Sequence, residues 1–222
     1  MAISQQTAPR LLQLVPYEHP LLRKPSQTVA FPLNEEDQAI ISAMKYSIQP
    51  EQLKKAKAPW DAAVGMAANQ WGIDKRIFIF CPETTDALEV IINPSYEPLT
   101  PDATTTLAPQ DDCFEACFSV PCATGNVQRY THIRVHYQDE TGQHHSRTLS
   151  GWLARVWQHE NDHLNGFLYD DTRTGKCLEK HSFDSKEAME AFYQAKKEQM
   201  IREGKRPRKT AAQAVQLNTA SK

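Results

Sequence analysis

The stretch SGWLARVWQHENDHLNG, residues 150–166, constrains this chain more than any other. Ser150 is a good helix N-cap and Gly166 a natural stop, so the segment reads as one helix with both ends marked. Inside it, His159 and His163 fall on one face, one turn apart. Two imidazoles placed this way can bind a single metal ion. Glu160 projects to a neighbouring face, close enough to reach a water on that ion rather than the ion. The metal lowers the pKa of such a water and the carboxylate takes and redelivers its proton, which is the chemistry of hydrolysis.

A catalytic centre of this kind needs a third ligand and one open position. The third histidine of a metzincin would fall at Tyr169, a poor metal ligand. Glu187 and Glu190 read more simply as exposed charges on an amphipathic C-terminal helix. The upstream run DDCFEACFSVP offers a thiolate instead, and Cys117 is the candidate. The chain has 5 cysteines, an odd number for a disulfide framework, which favours reduced thiols or metal ligation. Cys113 and Cys122 flank Cys117 at spacings unlike a zinc ribbon and read as incidental thiols.

The rest of the chain supplies a scaffold of mixed type. NEEDQAIISAMKYSI has apolar residues at helical spacing behind Asn34 as N-cap, with Pro50 ending the helix. RIFIF and VIINPSY read as short buried strands, and THIRVHYQ and HHSRTLS as a hairpin around Asp139 to Gly142. Asp184, with Glu187 behind it, opens a helix running to about Ile201. Strands before and after a helix, without βαβ alternation, predict an α+β fold. The expected arrangement is antiparallel sheets around a central helix carrying the two histidines, plus a C-terminal helix.

At 222 residues the chain suits one globular core. The expected organisation is a catalytic domain over 1–183, a helix over 184–204 and a basic, disordered tail over 205–222. The net charge of −2 hides an uneven spread: Lys196–Lys209 carries 7 basic residues against Glu198 and Glu203. No stretch has the length of a membrane span and the N-terminus lacks a signal-peptide core, so a cytoplasmic protein is expected. Neither a membrane nor a DNA partner is expected.

Three ordered segments closely resemble the signatures of the peptide deformylases: AVGMAANQ at 63–70, EACFS around Cys117, and HENDH. PLLRKP, INPS and ARVWQHENDHLNG extend the likeness from about Leu14 to Asp171, short of the tail. The resemblance implies an enzyme that removes the formyl group from the N-terminal formylmethionine of new polypeptides, by attack of metal-bound hydroxide on the formyl carbon. Cys117, His159 and His163 would hold one divalent ion per chain, Fe(II) in the cell, with Zn(II) or another transition metal as alternatives. Glu160 would be the general acid and base. The Gln70 amide and the Phe118 backbone N–H would stabilise the oxyanion. Val64, Gly65, Phe118, Trp152 and Val156 would line the substrate site, Trp152 being bulkier than the aliphatic residue usual there. Glu115 and Arg129 would pair and brace the cysteine loop.

Formylated nascent peptides are the implied partners, with a ribosome contact through the C-terminal helix or basic tail. Ala63 and Ala116 replace family glycines, and an alanine at 116 would be strained if that position needs positive φ. Gln49–Asp61 looks like an insertion ahead of the first signature. Two rival readings remain: a zincin-type endopeptidase and a noncatalytic binder of peptide N-termini.

Overall fold

The computed structural model describes residues 9–60, 62–82, 88–100 and 107–203. Its strands form two antiparallel sheets, and the class is the expected α+β. The larger sheet runs β1 (Gly65–Ala67), β2 (Ile77–Phe80), β3 (Glu89–Pro98), β6 (His132–Gln138) and β7 (His144–Ser150). The smaller sheet orders β4 (Gln110–Cys117), β5 (Val120–Tyr130) and β8 (Cys177–Ser182).

β2, unlike the half-exposed β6 and β7, is buried on both faces of the larger sheet. Successive side chains point to opposite sides. Ile77 and Ile79 join one apolar cluster with Ile41, Met44 and Leu53, while Phe78 and Phe80 join another with Ile133, Val135 and Trp157. Trp157 is fully buried, its ring edge-on to Phe78 at 5.0 Å and Phe80 at 5.7 Å. A third cluster, including Leu22, Cys117, Val127, Leu168 and Tyr169, lies at the smaller sheet. RIFIF and VIINPSY therefore pair as β2 and β3, and the expected hairpin is β6 with β7. β1, β4, β5 and β8 were not expected from the sequence. DDCFEAC is the end of a strand rather than a loop, with Phe118 and Ser119 turning the chain from β4 into β5.

Helix α1 spans Glu35–Ser47, and Asn34 accepts the Asp37 N–H at 2.8 Å, as expected of an N-cap. Pro50 opens a further short helix, α2 (Pro50–Lys55), at a position where its missing N–H costs nothing. Helix α3 spans Gly151–Leu164 and touches strands of both sheets. Ser150 is its N-cap residue but makes no side-chain capping bond. Gly166 stops it as expected, with φ +78°. A side chain at Gly166 is excluded twice over, because a Cβ would also lie 2.5 Å from the backbone of Lys24. The end of α3 is tied down further by Ser26 N–H and Arg76 Nη1, which both donate to the Leu164 carbonyl, at 2.9 and 3.0 Å.

Helix α4 spans Lys186–Arg202 and starts one residue later than the sequence suggests, capped by Ser185 rather than Asp184. It docks on the smaller sheet: Phe192 packs edge-on against Phe114 at 5.2 Å, and the Tyr193 and Thr124 hydroxyls share a hydrogen bond. Gly204 and the basic tail lie outside the described residues. Among those described, no helix is long and apolar enough to cross a membrane.

Candidate metal centre

Strand β4 ends at Cys117 and helix α3 brings His159 and His163 to it, so ligands far apart in sequence converge. Their donor atoms all lie within 4.8 Å of one another, the one cluster of this kind among the described residues. His163 Nε2 is 3.1 Å from Cys117 Sγ and 3.3 Å from His159 Nε2. Metal–nitrogen bonds of about 2.05 Å and metal–sulfur bonds of about 2.3 Å in a tetrahedron give donor separations of about 3.4 to 3.6 Å. The histidine pair thus has the separation that one ion needs, while the cysteine–histidine pair lies closer than a bound ion would set it. None of the five cysteines is in a disulfide, and Cys113 and Cys122 take no part in the cluster. Burial, with Glu160 and Glu89 adding to it, pushes the Cys81 thiol up to about 12, which keeps it neutral.

The imidazoles are prepared as ligands in different ways. Burial drives His163 well below its ordinary pKa, keeping it neutral. Burial alone would do the same to His159, but hydrogen bonds and charge from Cys117 and Glu115 raise it well above. A proton is therefore favoured on His159 between these two groups. Glu115 Oε2 lies 3.0 Å from His159 Nδ1. A proton held there leaves Nε2 free to coordinate.

Glu115 anchors a buried network of charges. Arg129 grips it with Nε at 2.6 Å from Oε1 and Nη2 at 2.8 Å from Oε2. Arg155 Nη1 adds a third guanidinium contact at 2.8 Å and its Nη2 reaches Asp111 Oδ1 at 2.6 Å. Arg129 Nη1 also donates to Asp162 Oδ2 at 2.8 Å, and Lys176 caps Asp162 from the outside. Burial alone would raise the Glu115 pKa, but Arg129 and His159 hold it well below the usual carboxylate range. The expected Glu115–Arg129 pair is therefore present. Arg155 and Asp162 were not anticipated, because a charged helix residue ordinarily reads as exposed.

Gln70 is 2 % exposed and its orientation is fixed. Its Oε1 accepts the Ala67 N–H at 2.9 Å, which turns Nε2 toward Ser119 Oγ at 3.1 Å and Cys117 Sγ at 3.7 Å. Ser119, also missed in the sequence, donates its backbone N–H to Cys117 Sγ at 3.4 Å. Asn69 Nδ2 donates to the His163 carbonyl at 2.5 Å, securing the second histidine from the same segment.

Glu160 is buried beside the cluster, and burial pushes its pKa up to about 7 against the opposing charges of His159 and Arg129. Its Oε2 has no hydrogen-bond partner in the protein. A Cβ built on Gly65 would lie 2.7 Å from both Cγ and Oε1 of Glu160. The glycine of AVGMAANQ thus makes room for the carboxylate of Glu160. Val64, Trp152 and Val156 pack together in one apolar cluster, while Phe118 packs against another. Ala116 is free of the feared strain, since Lys57, Asn93 and Cys122 are the positive-φ residues other than glycine among those described.

A histidine pair on a helix, a cysteine from a strand and a buried glutamate define the class of metal-dependent hydrolases. The model for polypeptide deformylases matches residues 11–178, and the chain belongs to that family. Peptide deformylase 2 of Rickettsia conorii is 35% identical over 69% of this chain and 75% of its own length. A peptide deformylase of Limosilactobacillus reuteri is 37% identical over 69% of this chain and 84% of its own length. Among solved structures, the peptide deformylase of Thermotoga maritima is similar with a TM-score of 0.59 and 27% identity, over 77% of this chain and 99% of the other.

Proposed function

We propose that this protein removes the N-formyl group from the N-terminal formylmethionine of newly made polypeptides, hydrolysing a linear amide to formate and a free amine. The observation that carries this reading is the convergence of Cys117, His159 and His163 beside the buried Glu160 in a chain of this family. A structural relative from Acinetobacter baumannii, 25% identical with a TM-score of 0.56 over 72% of this chain, has been solved with Met-Ala-Ser bound. A peptide that begins with methionine is the product such a reaction leaves.

Cys117, His159 and His163 would hold the ion, which we assign as Fe(II) in the cell; one thiolate and two imidazoles also suit Zn(II). When bound, the cation supplies Lewis acidity that acidifies water and polarises the formyl oxygen. Glu160 takes the proton of the attacking water and passes it to the departing amine nitrogen. Gln70 Nε2 and the Phe118 backbone N–H stabilise the oxyanion, each donor worth about 2.7 to 4 kcal/mol in comparable sites. Val64, Trp152 and Val156 form an apolar wall for the methionine side chain, with Phe118 as a further wall. Glu115 and Arg129 hold His159 in its coordinating orientation.

A zincin-type endopeptidase needs a downstream ligand, but Glu190 on α4 is 62% exposed and faces Lys186. A mere binder of peptide N-termini needs neither a buried Glu160 nor an oriented Gln70. Formate release from formyl-Met-Ala-Ser by anaerobically prepared, Fe(II)-loaded protein tests the assignment, and absence of formate with one ion bound per chain would overturn it.

Residues 1–183 form the catalytic domain in this reading, with 184–204 as the C-terminal helix and 205–222 as the tail. Nascent chains as substrates fit a cytoplasmic location. The helix or the tail meets the ribosome, by salt-sensitive contact with phosphates if the tail is used. Co-sedimentation at low salt of the full chain, beside one ending at Gly204, checks this; equal co-sedimentation removes the tail as the contact.

Gly65→Ala is expected to lower kcat on the order of 10²-fold by displacing the Glu160 carboxylate, with metal content unchanged. Steady-state kinetics beside metal analysis checks it, and wild-type kcat would refute it.

A further inference from the structure

The segment Gln49–Asp61 stands outside every motif of the metal centre, yet part of it returns to that centre. Leu53 of α2 is 2 % exposed and anchors the segment in the core. The chain then comes back through Ala58, which packs on the same cluster, to Trp60. The Trp60 ring lies edge-on to Phe118, with centroids 5.0 Å apart and planes at 78°. Phe118 directly follows the ligand Cys117. A few residues beyond Trp60, Val64 and Gly65 begin the opposite flank, where Gly65 lies against Glu160. Trp60 thus touches the residue next to the cysteine, and Gly65 the glutamate.

A formyl carbonyl reacting here has to lie between Glu160 and the Gln70–Cys117 side. Met66, Ala67 and Ala68, which follow Gly65, are fully buried and offer a peptide no surface. The peptide behind the formylmethionine has to leave past side chains that solvent reaches, and Trp60, against Phe118, is only half-buried. An edge-on pair with Phe118 holds the indole in place and leaves apolar surface for a passing side chain.

Resting on the deformylase reading, we infer that Trp60 is a specificity-determining residue that contacts the substrate residue after formylmethionine and favours a large apolar one there. An aromatic contact of ordinary strength corresponds to a preference of about 3- to 10-fold.

The test compares kcat/KM of the Fe(II)-loaded full chain for formyl-Met-Leu amide and formyl-Met-Gly amide in wild type, Trp60→Ala and Trp60→Phe. Trp60→Ala is expected to lose about 3- to 10-fold on the leucine substrate and less than about 2-fold on the glycine one. Trp60→Phe, which can keep the edge-on pair, should retain most of the leucine preference. Equal losses on both substrates, or no loss on either, overturn the inference. Calorimetric binding of Met-Leu amide and Met-Gly amide to the same proteins reads the preference without turnover. Wild type that binds the leucine product more tightly through Trp60 but releases no formate would defeat the deformylase reading alone.

Discussion

Glu160→Gln is expected to lower kcat for formyl-peptide hydrolysis by about 10²- to 10⁴-fold while each chain still binds one ion, because the substitution keeps the shape and removes the base. The side chain is 4% exposed and fits against Gly65, so glutamine occupies the same space. Nothing in the protein is bonded to Oε2, so the change breaks no internal hydrogen bond at that atom. The donor atoms of Cys117, His159 and His163 are untouched. Rates from formate release, measured beside metal content, decide the matter. A kcat within about threefold of wild type would mean that another group carries the proton.

Arg129→Ala is expected to cost about 3 to 5 kcal/mol of stability, the usual result of removing one partner from a buried ion pair. The Arg129 side chain is 1% exposed and bonds two carboxylates, Glu115 and Asp162. Arg155 and His159 would still hold Glu115, and Lys176 would still hold Asp162, which keeps the loss finite. His159 would lose the brace behind its carboxylate, and metal affinity should fall by about 10- to 100-fold. Urea unfolding of the metal-free proteins isolates the first effect, and competition with a chelator measures the second. Arg129→Lys should recover only part of either, since an ammonium cannot make the two-pronged contact with Glu115. A loss below about 1 kcal/mol with unchanged affinity would show that the pair is incidental.

The centre was readable in the sequence to the extent that its geometry is local. His159, Glu160 and His163 share one helix, where spacing alone sets direction. Cys117 was found from the need for a third ligand and Gln70 from a recognisable motif, because nothing in spacing places either beside α3. Arg155 and Asp162 were invisible: each sits on the same helix as the histidines but finds its partner across a sheet, 40 residues away for Arg155 and Glu115. Gly65 was expected beside the substrate, and nothing in the sequence showed that Glu160 lies where its side chain would be. The strands divide in the same way. IFIF announces itself by its unbroken apolar run, whereas β4 begins with Gln110, Asp111 and Asp112 and owes its form to β5. Trp60 belongs to no motif, and only the folded chain brings it to Phe118.

The joining of a strand cysteine to helix histidines has a consequence for the chain away from catalysis. An ion shared by Cys117 and His163, as proposed, would close a loop of 46 residues that includes β5, β6 and β7. Such a clip restricts the unfolded chain more than the folded one, and the entropy it removes grows with the loop it closes. A protein deprived of its ion therefore gives up more than reactivity: its disordered alternatives multiply, and the same scarcity that silences the enzyme shortens its survival among proteases.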